Sequence, residues 1–184
     1  MTQIQLAPSI GIVRVPDTQR HVIANLLQLY LHDFSEYAGA DTPYAQLEET
    51  GIFSYPHFEN YWADPTRVPL LIRANSHIAG FALIHAVSAL DRPVDHCVGE
   101  FFIVRKFRRT GVGAAAAKMI FALYPGRWEV PVRSYNGPAL AFWPIAIAAA
   151  EVGAATTMSG DGARWTGPVY SFDNRSTPPD SLGT

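Results

Sequence analysis

Arg108-Arg109-Thr110-Gly111-Val112-Gly113 is the stretch whose residue types and spacing could do chemistry. It lies between an apolar run, Phe101 to Val104, and an alanine-rich stretch opening at Ala114. Gly111 and Gly113 have no Cβ, so backbone N–H groups there approach a ligand closely. A helix opening at Ala114 turns the positive end of its dipole toward the same spot. The combination suits a phosphate. A P-loop would read Gly-x-x-x-x-Gly-Lys-Ser/Thr and a dinucleotide turn Gly-x-Gly-x-x-Gly; the stretch fits neither.

The surroundings sharpen this reading. An apolar strand precedes the turn, a helix from Ala114 to Leu123 follows it, and a second strand, Trp128 to Tyr135, ends at Asn136. Next comes Asn136-x-x-Ala139-x-x-Phe142-Trp143. Read as Arg/Gln-x-x-Gly-x-Gly/Ala followed by Asn-x-x-Ala-x-x-Phe-Tyr, the pair resembles the two signature stretches of the GNAT superfamily of N-acetyltransferases. The resemblance covers about Gly99 to Trp143 at motif level and nearly the entire chain in architecture. It implies acetyl-CoA as co-substrate, its pyrophosphate held by the amides of Arg109, Thr110, Gly111, Val112, Gly113 and Ala114. Arg105, Lys106 and Arg108 would add charge around it. The backbone of Ile103 and Val104 would bind the pantetheine arm where the strand splays from its neighbour, and Asn136 would reach the cofactor from the other side.

Acetyl transfer from a thioester to an amine needs the thioester held beside the nucleophile, a neutral amine, and a proton for the leaving thiolate. Glu100 is set among Val98, Phe101, Phe102 and Ile103. A carboxylate in such company is costly to bury unless partnered, and its pKa rises toward that of a useful base. By the resemblance Glu100 is the general base, acting directly or through water. Side chains on a strand alternate faces and a bulge is expected here, so the register decides whether Glu100 meets the pocket. The alternative is a glutamate paired with a core arginine or histidine. The superfamily often uses a tyrosine after the Phe of the second motif as the thiolate's acid. This chain has Trp143 there, whose indole N–H is not a practical proton donor. Tyr135, the nearest tyrosine in sequence, is the candidate instead, with core or rim as its other reading.

At 184 residues the chain is read as a single α/β domain over 1–173, with a flexible tail over 174–184 rich in Pro and Ser. Hydrophobic residues make up 48% and charged residues 16%, which excludes a disordered chain. The net charge of −2 gives no general argument for nucleic acid or an anionic membrane as partner. Cys97 is the only cysteine, so an internal disulfide and a Cys-rich zinc site are both excluded. His57, His85 and His96 are isolated in sequence, and no metal is expected. The start of the chain lacks the pattern of a secretory signal, and the longest apolar run is too short to span a bilayer. A cytoplasmic protein is the expectation.

The elements that must position these residues are read as follows. Ile4 to Val15 is a first strand with Gly11 at a bend or bulge. Asp17 caps a helix whose apolar face runs through Val22, Ile23, Leu26, Leu27, Tyr30, Phe34 and Tyr37. An irregular aromatic segment to Pro65 contains one short helix over Pro56 to Trp62. Val68 to Arg73 and Ile78 to Val87 form a hairpin, and the strand of Glu100 begins at His96. Pro131 predicts an unpaired side or a bulge, and Pro144 predicts a kink or early end of the last helix, at about 3 kcal/mol. Ala154 to Met158 and Val169 to Phe172 close the sheet. The order matches the GNAT fold, which implies a mostly antiparallel sheet splayed at the fourth strand, with helices on both faces.

In that fold the acceptor enters against the first helix and the segment after it. Asp33, Glu36, Asp41, Glu48 and Glu49 make this region acidic, and Tyr37, Tyr44, Phe53, Tyr55 and Tyr61 make it aromatic. A small cationic amine suits both features, with Asp33, Glu36, Tyr37 and Tyr55 as its candidate contacts. The same residues also read as a solvated rim. The leading function is an acetyl-CoA-dependent N-acetyltransferase, a direct attack of a small primary amine in a ternary complex. The alternatives are a CoA-binding sensor without turnover, which Trp143 favours, and an enzyme using another acyl-CoA. Apolar edges in the last strands would permit a homodimer.

Overall fold

The computed structural model describes residues 8–39 and 46–175. Seven strands form one sheet in the order β1-β2-β3-β4-β5-β7-β6. They are β1 (Ile10–Arg14), β2 (Val68–Ala74), β3 (His77–His85), β4 (His96–Ile103), β5 (Arg127–Pro131), β6 (Thr156–Ser159) and β7 (Pro168–Asp173). Neighbours run antiparallel except β4 and β5, which are parallel. Helices α1 (Arg20–Phe34) and α2 (Asn60–Ala63) belong to one face, α3 (Val112–Leu123) and α4 (Gly137–Ala150) to the other.

Strand alternation divides the core. Leu70, Ile72, Ala82, Ile84 and Val98 pack with Ala116, Ile120, Trp143 and Ile147 of α3 and α4. Leu71, Phe81, Leu83 and Phe102 pack with Ile23, Leu26, Leu27 and Leu31 of α1. Period-2 strands and period-3.6 helices thus present matching apolar faces on both sides of the sheet.

Several local expectations shift. Gly11 is not at a bulge: it pairs with Arg73 in an unbroken β1–β2 register. The expected strand start at Ile4 lies outside the described residues, as do Asp41, Tyr44 and the tail beyond Arg175. Asp17 lies in a 3₁₀ turn, Asp17–Gln19, and pairs with Arg20 at 3.6 Å instead of capping α1. The short helix of the aromatic segment is Asn60–Ala63, later than expected. The β2–β3 turn is two residues long, and Asn75 (φ 48°) and Ser76 (φ 67°) both adopt the positive φ that such a tight hairpin requires. Asn174 is anchored, not loose, because its side chain accepts from Gly126 N at 2.8 Å and donates to Phe121 O at 2.6 Å.

The two prolines are accommodated for separate reasons. Val132 N donates to Pro168 O at 2.9 Å, toward β7, so alternation turns the nitrogen of Pro131 to the β4 side, where no ladder bond is lost. Pro144 does not end α4, which runs on to Ala150. It lies on the exposed side, while Trp143, Ala146 and Ile147 hold the helix from within.

Candidate active site

The site begins where β4 and β5 part. They pair only at His96↔Trp128 and Cys97↔Glu129, then separate, although both continue. The parting follows from the sequence: Pro131 offers no donor on that side, and β4 is bent by a bulge. In the β3–β4 register Ile84 pairs with Val98 but Leu83 pairs with Glu100, leaving Gly99 as the extra residue. A Cβ on Gly99 would come within 2.9 Å of both His85 and the Tyr61 hydroxyl.

This bulge decides which way Glu100 faces. Val98 packs toward α3 and α4, and without the extra residue Glu100 would share that face. Instead Glu100 faces α1 with Phe102. Tyr30 of α1 donates its hydroxyl to Glu100 Oε2, and Tyr55 donates to Oε1 at 3.0 Å. Burial pushes the Glu100 carboxyl up to about 7, against the two hydroxyls and the charge of Arg133, which pull it back. Burial and the adjacent Glu100 push the Tyr55 hydroxyl far above its ordinary value, so it remains a donor.

A cavity of about 600 Å³ opens at the parting, and Tyr30, Tyr55, Glu100, Phe101 and Asn136 line it. Glu100 is the one carboxylate among its described lining residues. His85 also lines it, with Nδ1 accepting from Val87 N at 3.2 Å. Burial, then the charge of Arg67, push its imidazole down to about 4, so it is neutral at physiological pH. The loop over this end is fixed from below. Glu129, 1% exposed, accepts from Ser88 Oγ, from Ala89 N at 2.8 Å and from Arg92 Nε at 2.7 Å.

The glycine turn lies at the other end of β4. Arg109 (φ 60°) and Gly111 (φ 85°) are both left-handed, and Gly111 caps α3. Ala115 N is the first amide of α3 to bond back, to Gly111 O at 3.0 Å. Among the described residues no backbone carbonyl accepts from the amides of residues 109–114. Six donors in the turn and the first turn of α3 are therefore left without a backbone acceptor. Gly113 serves packing as well, since a Cβ there would stand 3.1 Å from the Phe142 ring.

Two basic side chains are already engaged. Asp33 accepts from Arg105 at 2.6 Å and from Arg108 at 2.5 Å. Burial alone would raise the Asp33 carboxyl, but these two guanidiniums outweigh it and hold it below its ordinary value. Arg108 also donates from Nε to Ile103 O at 2.7 Å. Asp33 is thus the clamp on the basic turn, and the charge left exposed beside the amides is that of Lys106 and Arg109. Glu36 is exposed and Tyr37 half-buried just beyond α1, and neither lines the cavity, whereas Tyr55 does.

The backbone assignment along β4 also moves by a residue pair. Val104 N donates to Ala79 O at 2.8 Å and Val104 O accepts from Phe107 N at 2.9 Å, so both its polar groups are occupied. Alternation then points those of Phe101 and Ile103 into the gap beside β5. Phe101, which sequence reasoning missed, is exposed to the cavity as a result of the Gly99 bulge. Asn136 Oδ1 caps α4 by accepting from Ala139 N at 3.1 Å, leaving its amide nitrogen for the cavity it lines. Tyr135 is outside the lining: its ring, 39% exposed, rests edge-on against Phe34 with centroids 5.9 Å apart. Trp143 is buried and edge-on to Phe101. No helix among the described residues is long and apolar enough to cross a membrane.

No protein-family model matches the chain, and no curated protein matches it in sequence. Solved structures do match in shape. An acetyltransferase from Thermus thermophilus aligns over 91% of this chain and 98% of its own, with TM-score 0.62 and 16% identity. A GNAT-family acetyltransferase from Staphylococcus aureus aligns over 91% and 100%, with TM-score 0.57 and 11% identity. An aminoglycoside acetyltransferase solved with coenzyme A and kanamycin aligns over 91% and 95%, with TM-score 0.57 and 14% identity. Seven strands in this order, parted between the parallel pair and flanked by helices on both faces, give the chain the fold of the GNAT acetyltransferases.

Proposed function

We propose that the protein is an N-acetyltransferase that moves the acetyl group of acetyl-CoA to a primary amine of a small molecule. The observation that carries this reading is Glu100, a carboxylate with a pKa near 7, held by two tyrosine hydroxyls in the cavity where the sheet parts. A base poised near the operating pH is what amine activation requires. The unengaged amides of 109–114 suit a diphosphate, and the backbone of Phe101 with the N–H of Ile103 suits the amide-bearing pantetheine arm, the Ile103 carbonyl being taken by Arg108. A neighbour of the same fold was solved with coenzyme A and an amine-bearing antibiotic, which agrees with both ligand classes.

In this reading Glu100 takes a proton from the acceptor's ammonium, directly or through one water. The amine lone pair then attacks the thioester carbonyl and forms the C–N bond as the C–S bond breaks, and the nitrogen releases its second proton to solvent to give the neutral amide. Coenzyme A leaves as a thiolate and takes its proton from solvent, since Trp143 is no acid and Tyr135 is outside the cavity wall. Asn136 Nδ2 is assigned to the cofactor side of the gap.

Release of free thiol from acetyl-CoA across a panel of primary amines tests the proposal. At least one amine is expected to give turnover that Glu100→Gln reduces at least about a hundredfold. Binding of coenzyme A without turnover on any amine would favour a sensor and overturn the enzyme assignment.

A further inference from the structure

One cation in the cavity has no role in the reaction just described. Arg133 is half-buried in the segment between β5 and α4 and lines the cavity together with Glu100. Its guanidinium lies over the Trp165 ring, 3.8 Å from the centroid. Among the described residues it forms no ion pair, although its charge acts on Glu100, whereas Arg164, the other arginine of the wall, pairs with Asp91 at 2.9 Å.

The platform under Arg133 is built. Asp161 Oδ1 accepts from Ala163 N at 2.9 Å and Arg164 N at 2.8 Å, folding the β6–β7 loop on itself. Gly162 N donates to Trp165 O at 3.0 Å, and Trp165 Nε1 donates to Val132 O at 3.3 Å. Ser134 N donates to Thr166 O at 3.1 Å, so the backbones on either side of Arg133 and Trp165 are tied together. A guanidinium lying over an indole face is held by its flat side and keeps its N–H groups, which lie along its edge, available to a ligand. A planar carboxylate is the ligand that this fork of N–H groups fits.

The balance of charge in the cavity points the same way. Among the described residues the acidic acceptor region expected from sequence is not assembled: Asp33 is neutralised by Arg105 and Arg108, and Glu36, Glu48 and Glu49 are exposed outside the lining. A polycation would meet one carboxylate, Glu100, and two arginines.

We infer that the acceptor is an amino acid or a similar small amine that also carries a carboxylate, with the amine at Glu100 and the carboxylate in the fork of Arg133. This rests on the acetyltransferase reading above. Glu100 then recognises the reacting end and Arg133 the far end, which sets the acceptor's orientation across the cavity.

The test compares matched acceptors, amino acids against their own carboxamides, by kcat/KM for thiol release. The wild-type protein is expected to prefer the acid over the amide by about ten- to a hundredfold, the range of a lost charge-assisted pair. Arg133→Met is expected to bring that ratio to about one, and Arg133→Lys to restore part of it. Because each ratio is taken within one protein, a general loss of active material does not change it. Turnover of amines without preference for the acid overturns this inference and leaves the acetyltransferase reading standing. So does an Arg133→Met protein that keeps the preference but binds coenzyme A more weakly, since the guanidinium then serves the cofactor. Absence of turnover with any amine overturns both.

Discussion

In the proposed reaction Glu100 is the carboxyl that matters, and its protonation is set by opposing effects. Burial raises it, the Tyr30 and Tyr55 hydroxyls lower it, and the balance lies near neutrality. Only the ionised form accepts a proton, so kcat/KM is expected to fall as pH drops below about 7. A rate–pH profile checks this, and the acid limb should vanish from the residual rate of Glu100→Gln. Removing the donors shifts the same limb. Tyr55→Phe takes away a hydroxyl that favours the carboxylate, so the limb is expected to move to higher pH, which the same profile reads. Sequence alone placed Glu100 in the right strand but not on a face, because one inserted residue reverses the parity of everything after it. The composition of the strand, with Gly99 directly before Glu100, is the only local sign of that reversal.

At the scale of elements, the site depends on the bulge that helps part β4 from β5 and on the anchor of the loop over the gap. The first is the Gly99 bulge. Gly99→Ala would press a methyl group against His85 and Tyr61, and is expected to destabilise the fold by about 1–3 kcal/mol and to lower activity by disturbing Glu100, as denaturant titration and thiol release would show. The second is the buried glutamate that pins the loop over the gap. Glu129→Ala strips Arg92, Ser88 and Ala89 of their shared acceptor and is expected to cost about 3–5 kcal/mol in denaturant unfolding. The strands and helices themselves were legible, since their periodicity and turn residues are local. The hairpin at Asn75-Ser76 and the stop before Arg127 are examples. What was not legible came from distant partners. Asp33 reads as an acceptor contact until Arg105 and Arg108 are folded against it, and nothing in the sequence marks Arg133, because the Trp165 ring beneath it comes from a distant segment. Val104 looked available partly for the same reason: Ala79 of the neighbouring strand takes its N–H, while its carbonyl is taken by the local turn at Phe107.

For the whole molecule, the raised Glu100 links function to stability. Its pKa is higher folded than unfolded, so the folded state holds more protons, and stability falls as pH rises from about 4.5 to about 7. Glu100→Gln removes that contribution. The variant is expected to gain stability over wild type at pH 8, by up to about 3 kcal/mol, and to lose most of this advantage at pH 4, as melting or denaturant curves at the two pH values would register. The protein in this view spends stability at one carboxyl to keep a base in a cavity between two parted strands. Whether a thioester cofactor enters that parting is the central claim, and calorimetric titration of the protein with coenzyme A tests it most directly. The account predicts saturable one-to-one binding that weakens as salt screens the diphosphate. No measurable binding of coenzyme A or acetyl-CoA at millimolar concentration would contradict it.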